Sequence, residues 1–219
     1  MKKYREIENL DKITEQAHAN FELITTTRDQ ALKQSRLLTR CAANAIRAIH
    51  REEGDLAREF LGQARELVET LKMNLGDFPD LFYAGYTQDA IKEYVEAKIT
   101  HVLISNDPLP TFEDMGVECA TYMKGLAETV GELRRRCLDI LRQGYSQEAE
   151  RLLLCMEEIY TLLVTIDYPD AVTHGLRRQT DIVRSLLERT RGDLTISLRE
   201  QKLIDVMENH MKSLEQTGD

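Results

Sequence analysis

Little punctuates this chain. Its 219 residues include four prolines and eleven glycines, and no stretch is rich enough in glycine, serine or proline to act as a linker between domains. Apolar runs are short, such as Leu152-Leu153-Leu154, far below the ~20 residues a membrane span needs. The first residues, MKKYREIENLDK, are charged and contain no apolar core, so no signal peptide is expected. The four cysteines, Cys41, Cys119, Cys137 and Cys155, form no CxxC pair, and no histidine stands near them at a zinc spacing. They read as buried, reduced thiols and suit a cytoplasmic protein. P-loop, GxSxG, HExxH and Rossmann glycine patterns are all absent, which removes support for P-loop nucleotide hydrolysis and serine-type hydrolysis. Strand-like alternation and a fixed internal repeat are missing as well.

What remains is helical. Hydrophobic residues make up 42% and charged residues 31%, a balance that excludes both a disordered and a membrane-embedded chain. The apolar period predicts helices over 8–52, 55–73, 86–105, 111–142 and 146–166. The fourth opens on Thr111, with Asp114 at the capping-box position. Ser146 caps the fifth. A long last helix follows Asp167-Tyr168-Pro169-Asp170, with a break expected near His174-Gly175 or Gly192. One all-α domain spanning 1–219 is the economical reading, with 1–8 and 214–219 frayed.

Two acidic pairs stand out. Glu93 and Glu96 are three residues apart, and Glu128 and Glu132 four apart, so each pair shares one face of its helix. Asp89 lies on the first stripe. If the two helices face each other, the four carboxylates can hold a hard divalent cation such as Mg²⁺ or Mn²⁺, which takes oxygen ligands and keeps room for water and a phosphate. Such pairs also arise by chance in a chain with 38 acidic residues, and a solvated surface is the alternative. Against it, Leu126, Ala127, Val130 and Gly131 surround Glu128 and Glu132, which points to a partly buried face where an unpaired carboxylate is costly.

A basic stripe accompanies the acids. Lys33, Arg36, Arg40, Arg47 and Arg51 recur along the first helix within an arc of roughly 60°, with His50 beside it. Leu38, Cys41, Ala42, Ala45 and Ile49 form the opposite, core-facing side. A row of cations suits phosphate contacts along a nucleic-acid backbone; a solvated face, or ion pairs with a neighbouring subunit, is the other reading. The net charge is −9, so nucleic acid must meet a local or enclosed basic surface. Arg134-Arg135-Arg136 spread around their helix, and at most two can serve one surface.

The segments QDAIKEYVEAKI (88–99) and YMKGLAETVGELRRR (122–136) resemble the two signature helices of the translin superfamily. SRLLTRCAANAIRAIHR (35–51), EEIYTLLVTIDYP (157–169) and GLRRQTDIVRSLLERTRGD (175–193) are also similar to archaeal members, so the resemblance covers roughly residues 10–200. It implies a bundle of about seven helices that assembles into a closed homo-oligomer, an octamer or hexamer. One branch, translin, binds RNA and single-stranded DNA without a full acidic site. The other, translin-associated factor X, carries metal-binding acids and supplies endoribonuclease activity. Glu93 and Glu96 match the glutamates of the family's EYVEA motif, and Glu132 that of GEL. Glu128 stands where the nuclease branch has aspartate, a departure of one methylene.

The resemblance therefore implies a metal-dependent endoribonuclease cleaving single-stranded or flexible RNA. Glu93, Glu96, Glu128 and Glu132 would serve as both ligands and catalytic groups, with Mg²⁺ or Mn²⁺ as cofactor inside an oligomeric cavity. Lys33, Arg36, Arg40, Arg47, His50 and Arg51 would contact RNA, with single-stranded DNA as a further ligand. The alternatives are a non-catalytic, translin-like binding oligomer and a purely structural helical assembly.

Overall fold

The computed structural model describes residues 8–217, with side chains through residue 213. Of the ends expected to fray, 1–7 and 218–219 lie outside that set, and the backbone of 214–217 is helical. Among the described residues there are nine helices and no strand. Six are long: α1 (Leu10–His50), α2 (Gly54–Asn74), α4 (Gly85–Ile104), α6 (Cys119–Leu141), α7 (Gln147–Val164) and α9 (Leu176–Thr217). Three are single turns: α3 (Pro79–Phe82), α5 (Phe112–Met115) and α8 (Asp170–Thr173). No helix is long and apolar enough to cross a membrane among these residues.

The predicted helix over 111–142 is two helices. Its capping box is present, with the Thr111 hydroxyl accepting from the Asp114 N–H and the Asp114 carboxylate accepting from the Thr111 N–H. One turn later Gly116 adopts φ 60°, and the Gly116 and Val117 amides bond back to Glu113 and Phe112. That double closure on a left-handed glycine is a Schellman stop, so the chain leaves the helix at Gly116 and re-enters it at Cys119. The expected break at His174-Gly175 is present, and both residues have positive φ. Gly192 is simply passed through by α9.

The bundle is built in two overlapping groups. α1 packs on α2 and α4, and α6 packs on α4, α7 and α9. Small residues allow close approach in the first group: Ala42, Ala45, Ala48, Ala57, Ala64 and Ala97 are buried. Larger side chains fill the second, among them Ile91, Leu126, Leu133, Leu152, Met156 and Leu194. α4 belongs to both groups and is the central helix. Of the four thiols, Cys41 and Cys137 are buried and Cys155 is half-buried. Cys119, expected inside, is exposed because it starts α6 at the surface. Burial pushes the Cys137 thiol up to about 12, so it is an inert core group.

α1 and α9, at 41 and 42 residues, are each about 60 Å long at 1.5 Å per residue. Both outrun the bundle. Nearly every residue of 10–30 is exposed, as is most of α9 beyond residue 198. These free ends carry Leu10, Ile13, Phe21 and Leu23 on α1, and Leu203, Val206, Met207 and Met211 on α9.

Candidate metal centre and its nucleic-acid face

The site forms where α4 crosses α6. Gly125 makes the crossing close: a β-carbon there would stand 2.6 Å from Val95 Cγ1 and 3.0 Å from the Lys92 carbonyl oxygen. With no side chain in the way, the α4 and α6 acidic stripes face each other. Glu93 and Glu96 come from α4 and Glu128 from α6, and each offers a carboxylate oxygen within 4.8 Å of the other two.

The surroundings show what this proximity costs. Burial, then the charges of Glu93, Glu128 and Glu132, push the Glu96 carboxyl from 4.5 up to about 8. It therefore holds a proton at neutral pH in the metal-free protein. Lys92, which sequence reasoning did not single out, places its ammonium nitrogen 2.5 Å from Glu128 Oε2 and 3.3 Å from Glu93 Oε1. Burial works to lower the Lys92 pKa, but the bonds and charges of Glu128 and Glu93 outweigh it and raise the value. From α9, Gln179 donates to Glu128 Oε1 at 3.1 Å. Lys92 was hidden because a lysine beside a glutamate looks like any exposed helical pair. Gln179 lies 51 residues from Glu128, so only the fold joins them.

Glu132 stands apart from the three-carboxylate group. Its Oε2 is 2.5 Å from His50 Nε2 and 3.7 Å from Arg135. It still bears on Glu96 through its charge. The His50 side chain is 4% exposed. Its Nδ1 is buried with no hydrogen-bond partner. His50 was expected beside the phosphate-facing row; it is the last residue of α1, and its ring is buried against Glu132 of α6.

The remaining cations of the row lie on the open face of α1. Lys33, Arg36, Arg40, Arg47 and Arg51 are all exposed. Arg47 donates to Asn44, and the other four have no side-chain bond or ion pair among the described residues. Of the arginine run, Arg134 reaches Thr190 and Asp193 on α9, and Arg136 reaches Glu52. A cleft of about 640 Å³ opens at the end of α1, lined by His50, Arg51, Arg136, Asp139, Arg142 and Gln143. His50 both lines this cleft and bonds Glu132.

The donor set fits a small hard cation. Mg²⁺ and Mn²⁺ favour carboxylate oxygens, with metal–oxygen distances near 2.0–2.1 Å for magnesium. The three oxygens lie within 4.8 Å of one another, close enough for side-chain rotation to bring them onto one such cation.

No family model matches the chain. An uncharacterized protein of Methanocaldococcus jannaschii is 34% identical over 181 residues, covering 81% of this chain and 79% of the relative. Two solved structures of AfC3PO, one of them a complex with duplex RNA, are 34% and 33% identical. Each has a TM-score of 0.79 and covers 85% of this chain and 97% of the other. The chain belongs to the translin-like C3PO family. Apo-NeC3PO, at 21% identity, shares the C3PO fold with a TM-score of 0.77 over 89% of this chain. The translin-like resemblance of the α4 and α6 segments is thus matched by the whole C3PO architecture.

Proposed function

We propose that this C3PO-family protein is a metal-dependent endoribonuclease of the nuclease branch, acting on single-stranded or flexible RNA. The observation that carries the reading is the convergence of Glu93, Glu96 and Glu128 at the α4–α6 crossing. Glu132 completes the set from the edge, oriented by His50. Mg²⁺ or Mn²⁺ bound there would lower the pKa of a coordinated water and stabilise charge on a phosphoryl oxygen. Glu93, Glu96 and Glu128 would hold the cation, and Glu96 would have to be deprotonated to do so. Lys33, Arg36, Arg40, Arg47 and Arg51 direct the RNA backbone along α1.

The assembly is a homo-oligomer, an octamer or hexamer, whose cavity encloses these faces. Two features support it. The apolar free ends of α1 and α9 are exposed among the described residues, and a closed shell lets a basic row act inside a protein of net charge −9. One of the AfC3PO structures is a complex with duplex RNA, which supports RNA as the ligand class. Single-stranded DNA is the second ligand to be tried.

A labelled RNA incubated with Mg²⁺, Mn²⁺ or EDTA tests the reading. Cleavage should need the metal and vanish in Glu93→Gln and Glu96→Gln, while RNA affinity and assembly persist. Cutting that survives EDTA and both substitutions removes the metal site from the reaction. A second reading, a non-catalytic RNA-binding oligomer, is favoured by Glu128 in place of aspartate and by the Lys92 ammonium already balancing two of the acids. It predicts binding without cleavage under either ion.

A further inference from the structure

We propose that Lys92 is a resident counter-ion of the acid site, and that a divalent cation enters by displacing its ammonium from the oxygens of Glu93 and Glu128. The inference rests on the reading of these acids as a metal site.

The geometry sets up a direct competition. Lys92 Nζ lies 2.5 Å from Glu128 Oε2 and 3.3 Å from Glu93 Oε1. Both residues belong to the trio whose oxygens converge within 4.8 Å. The other oxygen of Glu128 is already taken, by the Gln179 amide at 3.1 Å. Both oxygens of Glu128 therefore already have a donor, and a cation arriving there meets one of these two groups on either oxygen. Gln179 reaches in from α9, with a short side chain. Lys92 approaches on a four-carbon stem with many rotamers, so Lys92 is the group that moves.

Charge balance requires an occupant. Three carboxylates this close repel strongly in a site where Lys92 is 13% and Glu128 23% exposed. Lys92 places one positive charge on two of them, Glu93 and Glu128. A divalent cation does the same work with two charges on one atom and at shorter range. The ammonium and the cation are thus alternative solutions to one electrostatic problem. The bonds of Lys92 to Glu93 and Glu128 are what the cation must break.

A charge-assisted bond of this kind is worth about a tenfold to hundredfold change in a competing equilibrium. Mn²⁺ binding can be measured without RNA, by the electron paramagnetic resonance signal of free Mn²⁺ at fixed pH and salt, on the assembled protein. Lys92→Met keeps the apolar stem and removes the charge. It should tighten Mn²⁺ binding by about tenfold to a hundredfold. The melting temperature in EDTA should fall below wild type, and its rise on adding Mn²⁺ should be larger. If Lys92→Met does not fold without metal, Lys92→Gln, which retains a hydrogen-bond donor, is titrated in its place. Wild type that binds weakly beside a variant that binds well supports the proposal. Equal or weaker affinity in both variants overturns it, and so does an absence of Mn²⁺ binding in all three proteins. The nuclease reading fails separately: a wild type that binds Mn²⁺ but leaves RNA uncut removes the activity and leaves the Lys92 result standing.

Discussion

Glu96 makes the stability of the metal-free protein depend on pH in a direction opposite to that of most carboxylates. Its folded-state pKa is about 8, against an ordinary 4.5. Between those values the folded chain holds a proton that the unfolded chain has released. Stability from this group is therefore complete below pH 4.5 and falls as pH rises towards 8. The full shift corresponds to roughly a few kcal/mol, reduced by solvent reaching the half-buried site. Melting temperatures in EDTA from pH 5 to 9 should fall more steeply for wild type than for Glu96→Gln, which cannot ionise. Parallel curves would show that Glu96 is not proton-bound in the folded protein. Adding Mn²⁺ should flatten the wild-type curve, since the cation replaces the proton. At this scale the sequence displayed the acids but not their partners. Spacing along a helix shows which side chains share a face, so Glu93, Glu96 and Glu128 were visible. Whether Lys92 turns inward, and whether His50 is buried on Glu132, depends on what the opposite helix presents, which no periodicity records.

The α4–α6 crossing is where element geometry becomes site geometry. Gly125 has Val95 and the Lys92 backbone against its α-carbon, so Gly125→Ala must push the helices apart. Overpacking of this kind costs about 1–3 kcal/mol, and the separation should weaken Mn²⁺ binding as well. Gly131, on the same helix, has nothing within 4 Å of an added β-carbon. Gly131→Ala should gain about 0.5–1 kcal/mol through helix propensity. Urea denaturation of the two variants makes the comparison; a Gly125→Ala protein as stable as Gly131→Ala would mean that the crossing is not tight. The contrast explains what was legible among the elements. The long helices were, because their apolar stripes repeat over many turns. The stop at Gly116 was not, because a capping box at Thr111 and helical residues on both sides read as one continuous helix. The left-handed glycine that ends α5 has the same letter as Gly131 and Gly192, which do not end anything.

For the whole molecule, the proposed function has to bring RNA to a protein of net charge −9. An isolated chain of this charge repels a polyanion at long range. The row on α1 answers locally: Lys33, Arg36, Arg40 and Arg51 are exposed cations with no intramolecular partner among the described residues. A cation left unpaired on an acidic protein is available to phosphate, and its contribution is read by salt. Each phosphate contact to single-stranded nucleic acid contributes about −0.7 to the slope of log K against log salt. In EDTA, where no cleavage complicates the titration, Arg36→Gln and Arg40→Gln should each reduce that slope by about 0.7. The loss should be similar for RNAs of different sequence, because phosphates carry no base information. A truncation of the free α1 end before residue 25 should act differently. If that end is an assembly surface, native mass spectrometry will show a smaller oligomer. RNA affinity will then fall although the row itself is intact, because the cations no longer face one enclosed volume. Should the truncated chain keep both its assembly and its affinity, the row works on an open surface, and the acidic exterior is screened by salt alone.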